Sequence, residues 1–208
     1  MTAALHDIAL VLALAWAAGI NLYAALLVFG LMGHYGHVDL PPALAILADP
    51  RFIAAAGVMF AIEFFADKVP GVDSLWDAVH TFIRIPAGAV LAAGAAGDYG
   101  PAIQSLAALS GGALAAGSHF TKAGSRVLIN TSPEPFSNWA ASLSGDALVV
   151  TGIWAAVTHP LWFLAGLVLF IALAIWLLPK VWRGVKRLFA MLHPRGGGDP
   201  GAPGSKTG

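Results

Sequence analysis

The 208-residue sequence contains no cysteine, which excludes a disulfide framework, a thiol nucleophile and any thiolate-held metal. Charge is also scarce. Only 11% of residues are Asp, Glu, Lys or Arg, against roughly 25% in a soluble domain, and that shortage excludes an ordinary water-facing surface. No Gly-rich phosphate loop, HExxH pair or GxSxG elbow occurs, so the common hydrolase and nucleotide-binding signatures are missing. The stretch Met1 to Asp7 has no Lys or Arg, so the first apolar run is expected to stay as a span and not to be a cleaved leader. No catalytic residue, cofactor or nucleic-acid partner is expected. No metal site is expected either, with His34, His37 and Asp39 making only a weak candidate on the outer side.

What is present is apolar length. Hydrophobic residues make up 58% of the chain, its mean hydropathy is +0.77, and several runs exceed the roughly 20 residues that cross about 30 Å of hydrocarbon. The pattern predicts an all-α integral membrane protein of about six transmembrane helices, at 7–32, 51–69, 73–97, 101–130, 138–157 and 160–180. Lys180, Arg183, Lys186, Arg187 and Arg195 follow the last run, and positive residues beside a span stay cytoplasmic, so both termini are expected inside. Residues 1–180 read as the transmembrane domain, 181–193 as a basic amphipathic helix on the inner leaflet, and 194–208 as a disordered Gly/Pro-rich tail. The apolar segment 40–48 is too short to cross and reads as interfacial or re-entrant. A weak internal inverted repeat is a further expectation, since Ala17-Ala18-Gly19 and Ala115-Ala116-Gly117 match at a constant offset.

Polar residues fall at helical spacing inside these spans. Glu63 and Asp67 share a face of the second, Asp73, Asp77, His80 and Arg84 form a stripe on the third, and His119, Lys122, Arg126 and Asn130 form one on the fourth, with Ser118, Thr121 and Ser125 beside it. Asn138, Ser142 and Asp146 repeat every four on the fifth. An ionisable group at mid-membrane costs roughly 2.5–3.5 kcal/mol, so each must face a partner or a cavity. Lys122 and Arg126 are therefore expected to neutralise some of Glu63, Asp67 and Asp77. A hydrated path or substrate site and a set of ion pairs that merely orders the helices both remain open. Two turns at the inner face, Asp67-Lys68-Val69-Pro70-Gly71 and Asn130 to Asn138 through Ser132-Pro133-Glu134-Pro135, break the backbone and free amides and carbonyls for an ion or headgroup. Asn21 reads equally as helix-packing glue or as a substrate contact.

The segments AAGINLYAALLVFGL, EFFADKVPGVDSLWDAVHTFIR and TKAGSRVLINTSPEPFSNWAASLSGD together resemble a bacterial multi-pass membrane family known only as domain-of-unknown-function family 4126. The resemblance covers roughly residues 10–180. It implies a bacterial inner-membrane setting and marks Asp67, Lys68, Pro70, Asp73, Asp77, Arg84, Lys122, Arg126, Asn130, Ser132, Pro133, Glu134, Pro135 and Asn138 as signature positions, but it brings no reaction. The function expected from the residues is a transporter or channel for an ion or small charged solute. Its path would be lined by Glu63, Asp67, Lys68, Asp73, Asp77, His80, Arg84, His119, Lys122, Arg126, Asn130, Glu134, Asn138 and Asp146. The alternatives are a flippase or scramblase for an anionic headgroup and a structural or partner-binding membrane protein. Membrane lipid, a small ion or anionic ligand, and a second copy of the chain are the partners in view.

Overall fold

The computed structural model describes residues 2–69, 71–130 and 135–192, and these are all-helical, with no strand among them. The helices are α1 (Thr2–His34), α2 (Pro50–Ala66), α3 (Val72–Ala95), α4 (Pro101–Ile129), α5 (Pro135–Thr158) and α6 (Pro160–Leu192), with short 3-10 turns at Pro42–Ala48 and Gly97–Tyr99. Four helices open on proline, which lacks only an N–H that the first turn leaves unbonded anyway. Asp49 adds a side-chain cap to α2, accepting from the Arg51 amide at 2.7 Å. Glu134, residues 131–133, and the whole tail expected at 194–208 lie outside the described residues.

The molecule is apolar outside and polar within. Phe82 is 83% exposed and Trp162 76%, whereas Glu63, Asp73, Arg84 and His119 are fully buried. Only hydrocarbon solvates such a surface, so this is a membrane protein. Helices α1, α3, α5 and α6 are long and apolar enough to cross, and Pro42–Ala48 with α2, bent by 67°, makes a fifth candidate if counted as one span. Helix α4 is long enough, but the Gly, Ser and charged residues along it keep it below that hydropathy.

The first helix corrects the expected topology. At its start Asp7 accepts a hydrogen bond from Tyr99, and His6 Nε2 donates to the Val157 carbonyl at 2.7 Å. At its end His34 Nδ1 donates to the Ala48 carbonyl at 3.1 Å, while Leu44, on the same short turn, packs against Gly94. Both ends of α1 therefore lie beside the turn that joins α3 to α4. A straight helix from Asp7 to His34 would hold them about 40 Å apart at roughly 1.5 Å per residue. The chain folds back instead at Asn21, whose φ of −147° and ψ of 98° are extended. Leu27 then meets Gly57, Gly30 meets Ile53 and Gly33 meets Ala48, so the second arm runs antiparallel to α2. The run 7–32 is thus a hairpin with its apex at Asn21 and not a crossing, and α2 to α6 run between the two faces.

The start of α1 and the end of α6 also lie at opposite faces, because Gly184 packs on Leu128 near the far end of α4. The expectation of both termini on one side rested on six crossings, and the described ends of α1 and α6 do not share a face. The division expected at 180 is bridged by one helix, α6, whose 33 residues span about 50 Å and outrun the hydrocarbon by about 20 Å. The segments matched at constant offset pack on one another, Gly19 against Ala115. They do not share a backbone path, since α1 breaks at Asn21 while α4 continues through His119.

Small residues bring these helices together where no hydrophobic effect can. A Cβ on Gly19 would overlap Ser118 Oγ and the Ala115 carbonyl, and one on Gly111 would overlap Ala92. The Ser118 hydroxyl donates to the Trp16 carbonyl at 3.0 Å, across the α1–α4 contact. Gly19→Leu should therefore destabilise the protein by about 1–3 kcal/mol or more, since backbone cannot yield as a side chain does. Gly166→Leu, placed where nothing lies within 4 Å of the new Cβ, should leave the melting temperature in detergent unchanged, and thermal scans of the two variants check the contrast.

Candidate functional site: a buried ion network

Three cations from α3 and α4 meet four carboxylates from α2, α3 and the turn between those helices. Arg84 donates to Glu63 Oε1 at 2.6 Å and to Asp77 Oδ1 at 2.8 Å, with all three groups 1% exposed or less. Lys122 Nζ lies 3.3 Å from Glu63, 3.0 Å from Asp67 and 3.7 Å from Asp77. Arg126 Nη2 donates to Asp67 Oδ2 at 2.9 Å, and its Nη1 reaches the Asp67 carbonyl at 2.7 Å, Asp73 Oδ2 at 3.4 Å and Asn138 Oδ1 at 3.3 Å. Helical spacing makes this possible: successive turns of α3 and α4, running antiparallel, present Arg84, Asp77 and Asp73 opposite Lys122, Arg126 and Asn130.

The carboxylates are unequally satisfied. Asp73 Oδ1 accepts from the amides of Gly71 and Ser74 at 2.9 and 2.6 Å, and Asn130 Nδ2 donates to both its oxygens at 2.8 and 3.0 Å. This ties the α2–α3 turn, where Gly71 adopts φ +87°, to the end of α4. By contrast Glu63 Oε2, Asp67 Oδ1 and Asp77 Oδ2 are buried with no partner, as are Asn138 Nδ2, Ser142 Oγ and Asp146 Oδ2 nearby on α5. Buried orphans are rare in native proteins, and here they gather in one place. The balance is also uneven, with four carboxylates against three cations, an excess of one negative charge.

Two histidines flank the network. A carbonyl can only accept, so His80 Nδ1 donates to Trp76 O at 2.8 Å, and its Nε2 is hydrogen-bonded with the Tyr23 hydroxyl at 3.1 Å. The single Thr81 hydroxyl proton goes to the Asp77 carbonyl at 3.0 Å, so His119 Nε2 donates to Thr81 Oγ1 at 2.7 Å and its Nδ1 accepts from Arg84 at 3.3 Å. The His119 ring is thereby held neutral, because an arginine can only donate.

The apex of α1 docks on the same region. Asn21 Oδ1 accepts from the Ala24 amide at 2.9 Å, capping the second arm, and its Nδ2 donates to Asp146 Oδ1 at 2.8 Å. The bond to Asp146 bears out the reading of Asn21 as a polar contact between helices, and the cap on Ala24 is a second task that this reading did not include. Asn is a capping residue by type, which was the available signal. Tyr23 and Thr81 also escaped notice, although Thr81 follows Asp77 by one turn. Lys68 does not join the network: it turns back to the Phe64 carbonyl at 3.0 Å and lies over the Phe64 ring. Burial holds its ammonium pKa below the ordinary value, partly offset by Asp146 and then Asp67. Counting Asp146 and Lys68 as well leaves the excess at one negative charge.

Two cavities reach the network. One of about 180 Å³ lies between α4, α5 and the α1 apex, where Lys122, Arg126, Ser125 and Ser144 line it. The other, about 800 Å³, is a groove between α3, α4 and the second half of α6, with Asp77, Thr81 and His119 among its lining. No group of three or more His, Asp or Glu suited to a metal occurs among the described residues.

The family model for the domain of unknown function DUF4126 matches residues 8–180. The chain belongs to the DUF4126 family. The DUF4126 match takes in every charged member of the network and the α1 hairpin, and ends before the final turns of α6. No curated protein and no solved structure matches the chain.

Removing one partner of a buried pair leaves an uncompensated charge, which costs about 3–5 kcal/mol. Arg84→Met should destabilise by that order and raise the excess to two. Adding Glu63→Gln returns it to one, so the double variant should recover about 0.5–3 kcal/mol of coupling. Denaturant unfolding of the two single variants and the double variant in one detergent measures the cycle, and strict additivity would refute the pairing.

Proposed function

We propose that the protein is a small transporter of the bacterial inner membrane that carries an ion or small charged solute past the buried network. The observation that supports this most is the unneutralised carboxylate excess, with free oxygens on Glu63, Asp67 and Asp77, beside the apex of a helix broken at Asn21. A set of pairs that only ordered the helices would be satisfied throughout, as Asp73 is. An excess negative charge in a poorly hydrated site calls for a proton or a cation, and a broken helix beside such a site is how many transporters hold and release one. Lys180, Arg183, Lys186 and Arg187 favour a cytoplasmic side for the end of α6 by the charge rule for flanking residues. The cavity at Lys122 and the groove then open in the inner half, and the α1 hairpin closes the network toward the other face. Transport would require that hairpin to move, with the Asn21–Asp146 contact as its latch.

Scrambling of an anionic headgroup is the weaker reading, because the groove that would admit a lipid meets a carboxylate at its floor and no free cation. Pyranine-loaded proteoliposomes challenged in turn with inorganic cations, inorganic anions and organic ions should give an ion-dependent pH change with at least one class. The response should fall at least tenfold in Asp77→Asn and in Lys122→Met. Signals that do not depend on the added ion, or that both variants retain in full, would sink the transporter.

A further inference from the structure

We infer that the groove between α3, α4 and α6 is a binding site for a lipophilic monocation, whose charge sits beside Asp77 and whose apolar substituents lie against the groove walls. At about 800 Å³ it has the size of a small-molecule site, which spans roughly 300–1,000 Å³. Its walls are apolar and partly aromatic: Phe120 of α4 and Leu178 and Trp182 of α6 line it, and Phe120 and Trp182 are about half exposed there, at 48% and 60%. Aromatic faces attract cations and tolerate apolar groups alike. Apolar walls of this kind select an occupant that is itself lipophilic.

The floor decides the sign of the charge. Asp77 is 1% exposed, lines the groove and keeps Oδ2 without a partner. Around it Thr81 donates to the Asp77 carbonyl, His119 donates to Thr81, and Arg84 directs three Nη hydrogens at Asp77, His119 and Glu63 while its Nε keeps no partner. The free atom is thus an acceptor on a negative cluster. A cation gains there, whereas an anion would meet a floor with one more carboxylate than cations.

Proton and cation would compete for the same excess charge. The groups facing Asp77 are Arg84 and His80 on its own helix, Glu63 and Asp67 from α2 and its turn, and His119, Lys122 and Arg126 from α4. Tyr23 of α1 reaches the cluster through His80, and the α6 residues that line the groove carry no titratable group. With three fixed or shared cations against four carboxylates, one added positive charge neutralises the cluster and a second does not. Where a proton occupies the cluster, binding of the cation displaces it, which is the coupling an exchanger needs. As a transported substrate the cation rests on the transporter proposed above; as a bound ligand it does not.

Tetraphenylphosphonium titrated calorimetrically into the purified protein, in buffers of different ionisation enthalpy, tests this. Saturable binding at one per chain is expected, with release of up to one proton and an affinity that falls toward about tenfold per pH unit of acidification. Asp77→Asn should weaken it at least tenfold. Ala78→Trp fills the groove from an exposed position; it should do the same while keeping the wild-type gel-filtration profile. Tetraphenylborate, the anion of the same shape, should not bind. Absence of saturable binding by the wild type, equal binding of tetraphenylborate, or binding indifferent to both substitutions would overturn the site. Binding without any flux of tetraphenylphosphonium in proteoliposomes would remove the transporter and leave the site, whereas flux of another ion without this binding would do the reverse.

Discussion

The rest of the structure depends on Arg84 holding Glu63 and Asp77 together at complete burial. An isolated charge cannot stay in hydrocarbon, so each of these side chains needs the others before its helix can occupy its place. Helix α2 shows the consequence. Its surface is mostly exposed, with only Ala56 and Glu63 buried, and in a bilayer apolar exposure supplies no force to pack it. Glu63, and Asp67 at its cap, are what tie it to α3 and α4. The α1–α4 contact is built differently, from Gly19, Ala115 and Ser118, where close backbone approach replaces charge.

That arrangement gives the fold two layers of constraint at one depth. The hairpin of α1 ends where the charges begin, and Asn21 and Tyr23 connect it to Asp146 and His80. A helix broken among lipid tails would expose unpaired backbone at several kcal/mol per group. Asn21 sits at 1% exposure, and its side chain takes over one of the freed amides. The break is therefore tolerated because the polar interior surrounds it, and the interior is sealed from one face because the hairpin is there.

The stripes were legible in the sequence because helical periodicity is local: Glu63 and Asp67, Asp77 and Arg84, Lys122 and Arg126 each share a face whatever the tertiary structure does. The opposite signs of neighbouring stripes made the meeting of Lys122 and Arg126 with the carboxylates a matter of charge neutrality. The path of α1 was not legible. The 26 residues 7–32, apolar but for Asp7 and Asn21, satisfy the length rule for a span, and it takes long-range contacts such as Tyr99 with Asp7 and Ala48 with His34 to show that the chain returns. The side expected for the N-terminus rested on the same reading, since an even count of crossings had been assumed. Lys68 misled for a related reason: its neighbour Asp67 enters the network, but one residue along a helix end turns a side chain by about 100°.

Which carboxylate works and which merely holds can be argued from their oxygens. Asp73 accepts four hydrogen bonds at 2.6–3.0 Å from three donors and has an arginine besides, so its charge is solvated by the protein in place of water and it has nothing left to offer a ligand. Glu63, Asp67 and Asp77 each use one oxygen on a cation and keep the other free. A chain selected only for rigidity gains by completing such bonds, because an unmade buried hydrogen bond costs about 1–3 kcal/mol. Three incomplete carboxylates around one lysine, which binds Glu63 and Asp67 and approaches Asp77, form a cluster in which a single positive charge can be redistributed without rebuilding the helices. Among its three cations Lys122 is the fitting centre for that. Its compact ammonium swivels between partners, whereas the planar guanidinium of Arg84 is locked to two.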